Sequence, residues 1–198
     1  WNEREAPALA ELDFAFEQML HGLFVKDGSE AEPTGYENFA MQGLALCMSA
    51  LAAFGIQPQG ANRIMPGFWW PYHNTVRPST QLDTGDFDGH LKALSGFAWG
   101  AEHSGIPALR AFYDSGTHLD LSHGAAADQN GHHLEELSGP LDLVCCSASA
   151  QSADTPPTSR IFPERGSAVL RSGWGPDATV ISLRAGAWFN HEHHDEGS

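Results

Sequence analysis

Basic residues are scarce in this sequence. Ten Lys and Arg face 25 Asp and Glu, which gives a formal net charge of −15 and a pI near 4.9. That balance excludes nonspecific nucleic-acid binding, which needs a basic surface. It also weighs against an anionic polymer as substrate. Charge of either sign is low. Only 18% of residues are charged and 41% are apolar, so disorder throughout is excluded and a sizeable core can form. Long apolar runs are missing. None approaches the ~20 residues of a membrane span, so the chain is not read as an integral membrane protein. Cysteine is limited to Cys47, Cys145 and Cys146. An odd number with one adjacent pair, and no Cys-x-x-Cys, excludes a disulfide framework. Cys47 lies in an apolar helical stretch and reads as a small core residue. There is no initiating Met. The chain opens on Trp1 and stops at Ser198, directly after its most chemically dense segment, so we expect an excerpt of a longer protein.

What is present is helical first and β last. Leu9, Leu12, Phe16, Met19, Leu20 and Leu23 recur at helical spacing and predict a helix over 6–24. Ala40, Leu44, Cys47, Met48, Leu51 and Phe54 predict a second over 36–54, stopped by Gly55. Residues 56–88 carry Pro58, Pro66, Pro71 and Pro78 and read mostly as loop. That stretch is rich in aromatics: Phe68, Trp69, Trp70 and Tyr72. A third helix is expected over about 88–104, and Pro107 opens a short fourth that ends near Tyr113. Ala, Ser, Gly, Asp and Pro dominate 124–160, which reads as a connector with one short ordered piece around Leu141–Cys146. After Pro163 the period becomes two. The runs 168–172 and 180–184 alternate on either side of Gly173-Trp174-Gly175-Pro176-Asp177, a hairpin connection. Segregated helices and strands predict an α+β fold in two domains. We draw the boundaries at 1–125, 126–160 and 161–198.

The densest chemistry lies in Asn190-His191-Glu192-His193-His194-Asp195. On a continuing strand His191, His193 and Asp195 share one face. Two imidazoles spaced in this way build part of a zinc site, or set a catalytic His beside a metal-bound one. A zincin is excluded, because the second His of H-E-x-x-H is absent. The bland alternative is a solvated, histidine-rich strand end. A second segment runs from Asp27-Gly28-Ser29 through Gly35-Tyr36. It places Tyr36 at a helix start, where the helix dipole favours negative charge, and makes it a candidate proton donor. Its alternative is a Tyr that simply packs there.

Together the segments resemble the heparinase II/III-like polysaccharide lyases, of the alginate lyase and heparinase II type. The resemblance is carried by Phe162-Pro163-Glu164-Arg165-Gly166, by Arg171-Ser172-Gly173-Trp174, by Leu183 through Gly186, and by His191-x-His193-x-Asp195-x-Gly197-Ser198. The run Asp27-Gly28-Ser29…Glu32…Gly35-Tyr36-x-Asn38-Phe39 looks like the family's tyrosine segment, with Pro33-Thr34 in place of the usual Gly-Pro. Residues 56–160 match only loosely.

The resemblance implies the C-terminal part of an (α/α) toroid, followed by the first strands of an antiparallel β-sandwich. It implies β-elimination on a polysaccharide containing uronic acid, of alginate or glycosaminoglycan type. Tyr36 then serves as catalytic acid and base, His191 as the catalytic His, and His193 as a zinc ligand. Asp195 orients a neighbour. The family's further catalytic His and remaining zinc ligands fall outside this chain, so the chain alone is expected to be inactive. Location in the periplasm or secretion is implied as well. Trp69 and Trp70 are candidates to stack on sugar rings, or else to plug the core. Arg63, Arg77, Arg110, Arg171 and Arg184 are candidates to line a cleft, which offsets the acidic total. Two other readings stand beside the lyase: a uronate C5-epimerase on the same scaffold, and a noncatalytic carbohydrate-binding protein.

Overall fold

A computed structural model describes residues 6–23, 26–29, 34–57, 61–77, 80–82, 95–104, 106–122 and 155–186. Helix α1 spans Ala6–Leu23 and α2 spans Thr34–Ala53, close to the ranges that the apolar spacing predicts. The buried faces are narrower or rotated. In α1 Phe16 and Leu20 reach the core, one turn apart, whereas Leu12 and Met19 are each 41% exposed. In α2 the core stripe is Met41, Leu44 and Ala45, with Met48 packed beside it, at i, i+3, i+4 and i+7. Phe54, expected on that stripe, lies past the helix end and is 66% exposed. Cys47 is half-buried against the core, and burial pushes its thiol pKa up.

The stretch read as mostly loop is largely regular. A 3-10 turn at Ala61–Arg63 leads into α3 (Ile64–Gly67) and α4 (Trp69–Asn74), and then into a hairpin of β1 (Thr75–Arg77) and β2 (Thr80–Gln81). Pro66 and Pro71 sit in the opening turns of α3 and α4. There a missing N–H breaks no helical hydrogen bond, so the prolines limit helix length without forbidding helix. Helix α5 is described over Ser95–Ser104, and its expected start near 88 lies outside the described residues. Helix α6 runs Pro107–Ser122, well past the expected stop at Tyr113. It passes through Gly116, since one helical glycine costs only about 1 kcal/mol. The connector and its ordered piece at 141–146 fall among residues outside the description, apart from 155–160.

Helices α2, α4, α5 and α6 surround one apolar core. Phe68 meets Phe97 edge-on at 5.3 Å, and Phe112 closes on both Phe97 (4.6 Å) and Tyr72 (5.1 Å). Helix α5 comes close to α2 at Gly96, where an added Cβ would lie 3.3 Å from the Gln42 nitrogen.

Strands β3 (Ser159–Phe162), β4 (Ser167–Arg171) and β5 (Val180–Arg184) form an antiparallel sheet in that order. The β4–β5 hairpin matches the predicted alternation. Strand β3 does not, because it precedes Pro163, where the alternation is expected to begin. Its four residues are too few for a periodic signal. Phe162, Val169 and Arg171 are buried, whereas Ile161, Leu170, Ile181 and Leu183 lie on the exposed face. The described residues are therefore mixed helix and antiparallel sheet, as the α+β expectation has it.

Candidate functional site

The site is assembled where the start of α2, the end of α4 and the three-stranded sheet approach one another. Asp27 folds the chain back locally: its Oδ1 accepts from the Ser29 backbone N–H (2.9 Å) and hydroxyl (2.6 Å). Such Asx turns are a standard use of Asp ahead of a glycine. Its Oδ2 accepts from the Glu164 N–H at 2.9 Å, which ties the turn to the β3–β4 connection. Gly28 adopts φ +85°, and a Cβ there would overlap the Pro66 carbonyl.

Helix α2 then begins at Thr34. Thr34, Glu37 and Asn38 are fully buried, while Tyr36 is 43% exposed. Helical spacing explains the contrast. Thr34 and Asn38 are one turn apart on the inner side, and Tyr36 lies about 200° around from Asn38. Inside, the Asn38 Nδ2 donates to Gln81 Oε1 at 3.2 Å. Gln81 Nε2 donates to the Pro71 carbonyl and the Thr75 hydroxyl, each at 3.4 Å.

Arg171 crosses from β4 to the helical part. Its Nη2 donates to the His73 carbonyl at 2.8 Å and also to the Thr75 carbonyl. The guanidinium lies 4.3 Å from the Trp174 ring centroid, a cation–π stack. Arg171 is only 9% exposed, so it is a buried link rather than the cleft-lining cation expected of it. Arg110 likewise pairs along its own helix with Asp114 at 2.8 Å.

His73 and Tyr72 line this junction. His73 is 1% exposed, among Trp69, Tyr72, Phe162 and Trp174. Burial, reinforced by the Arg160 and Arg171 charges, lowers its pKa to about 4. Burial pushes the Tyr72 phenol up to about 12, with Arg171 pulling the other way, so Tyr72 stays a neutral phenol. The His73 shift has a consequence for stability. Between pH 6.5 and about 4 the unfolded chain binds a proton that the folded chain does not, so stability falls as pH falls through that window. The loss should be about 2–4 kcal/mol by pH 4, and His73→Phe should flatten that part of the profile. Denaturant titrations at stepped pH check it. An unchanged profile in the variant would show that His73 does not set this dependence.

The residues singled out in the sequence are not all treated alike. Tyr36 is displayed at the start of α2. Trp69 is half-buried, edge-on to Tyr72 at 5.5 Å, with the Arg160 guanidinium 5.5 Å from its centroid. Trp70 is 2% exposed and edge-on to Phe162 at 4.8 Å, so it is packed among the described residues. His191, His193 and Asp195 lie outside the described residues. Among the described residues no group of three His, Cys, Asp or Glu is gathered to hold a metal. Asn38, His73 and Gln81 carried no separable signal in the sequence, although Asn38 stands within the tyrosine segment.

No family model and no curated protein matches the chain. Among solved structures it is similar to a heparinase III, with a TM-score of 0.62 and 18% identity, over 98% of this chain and 27% of that one. The chain thus spans about a quarter of the length of that neighbour, and at this identity the likeness concerns the fold: what the described residues adopt is a heparinase-like fold.

Proposed function

We propose that this chain belongs to a polysaccharide lyase that cleaves a uronic-acid-containing polymer, of alginate or glycosaminoglycan type, by β-elimination. The observation that carries the reading is the likeness in fold to heparinase III, a match that covers 98% of this chain. Tyr36, exposed at the start of α2 in a segment that resembles the lyases' tyrosine segment, gives that fold a candidate catalytic group. On this reading the helical part belongs to an (α/α) toroid and the sheet opens a β-sandwich. The protein works in the periplasm or outside the cell.

The chemistry sets what the residues must do. The C5 proton of a uronate lies α to a carboxylate, so its removal builds up enediolate-like charge that the site must stabilise. Tyr36 takes that proton in its ionised form, or gives its own to the departing O4, and His191 is its partner. Tyr36 is 43% exposed, so its side chain is accessible from solvent. His193 is the proposed zinc ligand, and zinc there would supply a fixed positive charge.

The test uses the full-length natural protein and a panel of alginate, heparin, heparan sulfate, chondroitin and hyaluronan. Rising ultraviolet absorbance from an unsaturated uronate on one polymer supports the lyase and identifies its substrate. No rise on any polymer, with zinc supplied, overturns the lyase reading. Solvent deuterium entering C5 without unsaturated product would then select epimerisation.

A further inference from the structure

We propose that Gln81 is a positioning residue for Tyr36, acting through Asn38, and that Arg171 anchors the hairpin from which Gln81 works. The kinetic part of this inference rests on the lyase reading; the placement of Tyr36 does not.

A phenol that must meet one sugar atom cannot stand on a fraying helix end. The first turn of a helix is the part with unpaired N–H groups and the least intrinsic order. Tyr36 stands there. Burial of an apolar inner face would stabilise that turn without a directional preference. An amide hydrogen bond fixes direction as well as distance. Here the inner face is polar: Thr34, Glu37 and Asn38 are all fully buried, and the Asn38 amide donates to Gln81 Oε1 at 3.2 Å.

Gln81 is held in turn. It is 2% exposed and pairs in register with Thr75 across the β1–β2 hairpin. Its Nε2 reaches the Thr75 hydroxyl and the Pro71 carbonyl, and that hydroxyl donates to the same Pro71 carbonyl at 2.8 Å. The Leu82 N–H donates to the Asn74 carbonyl at 2.7 Å and closes the hairpin behind it. Arg171 then fixes the His73 and Thr75 carbonyls from the sheet. A continuous line of hydrogen bonds thus runs from β4 through the end of α4 and the hairpin to the first turn of α2.

Two variants test this in the full-length natural protein. Gln81→Met removes both ends of the relay at nearly constant length. Thr75→Val removes the hydroxyl, keeps the shape and is the milder change should Gln81→Met fold poorly. Displacing a reacting group by an ångström costs up to about 100-fold, so kcat should fall about 10- to 100-fold in Gln81→Met, with KM within about twofold. The fall in Thr75→Val should be smaller. Fluorotyrosine placed at Tyr36 provides a readout independent of turnover: its single fluorine resonance should shift or broaden in both variants. A merely structural Gln81 would lower the unfolding midpoint and leave that resonance and kcat unchanged, and that result overturns the proposal. If the wild-type protein turns over none of the polymers, the lyase reading fails, while the resonance still decides whether Gln81 places Tyr36.

Discussion

Tyr36→Phe should reduce β-elimination by about 10²- to 10⁴-fold, the usual contribution of a positioned proton-transfer group. The substitution removes one oxygen from a side chain that is 43% exposed. Its effect on stability should stay within about 1 kcal/mol, as for most changes outside the core. The two readouts separate chemistry from folding, because only the first should move. Since the lost interaction is made in the transition state, kcat and kcat/KM should fall together. The measurement is the initial rate of ultraviolet absorbance on the preferred polymer, with a thermal melt of each protein beside it. Full activity in Tyr36→Phe would assign the proton transfer to another residue. In that case Gln81 would have nothing catalytic to position.

The second large effect is expected at Arg171. Arg171→Met removes a charged donor from two carbonyls, His73 and Thr75, and a guanidinium from the face of Trp174. Hydrogen bonds from charged groups contribute about 1.5–3 kcal/mol, and a buried carbonyl left unpaired adds its own desolvation cost. Against this, the variant no longer buries a cation, which offsets part of the loss. A net loss of about 2–4 kcal/mol is expected at this junction. Arg171→Lys should recover little of it. A single ammonium on a flexible stem replaces neither the planar stack on Trp174 nor the fork of donors. Hydrogen exchange reads the effect locally. The Leu82 N–H, which donates to the Asn74 carbonyl, and the Ser172 N–H, which donates to the Thr179 carbonyl, lie on the two sides of the contact. Both should exchange about 30- to 1000-fold faster, which is the same energy at 1.4 kcal/mol per decade. Unchanged exchange at both amides would mean that Arg171 is not what joins sheet to helices.

Much of the fold was legible because it rests on local periodicity. The ranges of α1 and α2 follow from apolar spacing, and the β4–β5 hairpin follows from strict alternation around a Gly-Pro-Asp turn. The errors fall where local rules compete. Prolines at 66 and 71 suggested loop but sit in the opening turns of α3 and α4, and α6 runs on past the stop expected near Tyr113. Strand β3 is too short to announce itself and is fixed by pairing with β4, Ser159 against Leu170 through Phe162 against Ser167.

The site divides along the same line. Tyr36 could be singled out because a turn-rich segment leading into a helix marks a helix start, and a helix start has a defined exposed side. Trp69 and Trp70, adjacent and chemically identical in the sequence, end up in different surroundings: one beside Arg160, the other edge-on to Phe162 and almost fully buried. Arg171 was one of several arginines, and nothing in its neighbours marks it as the one whose guanidinium meets two backbone carbonyls 96 and 98 residues away. Gln81 and His73 carried no signal at all. By itself the sequence determined the approximate ranges of α1, α2 and the β4–β5 hairpin, the acidic balance and the position of Tyr36 at a helix start, since these depend on neighbours within a few turns of chain. Tertiary structure alone decided which aromatic is buried, which arginine links sheet to helices and which amide holds the start of α2. Those outcomes depend on desolvation and on hydrogen-bond partners brought together from distant parts of the chain.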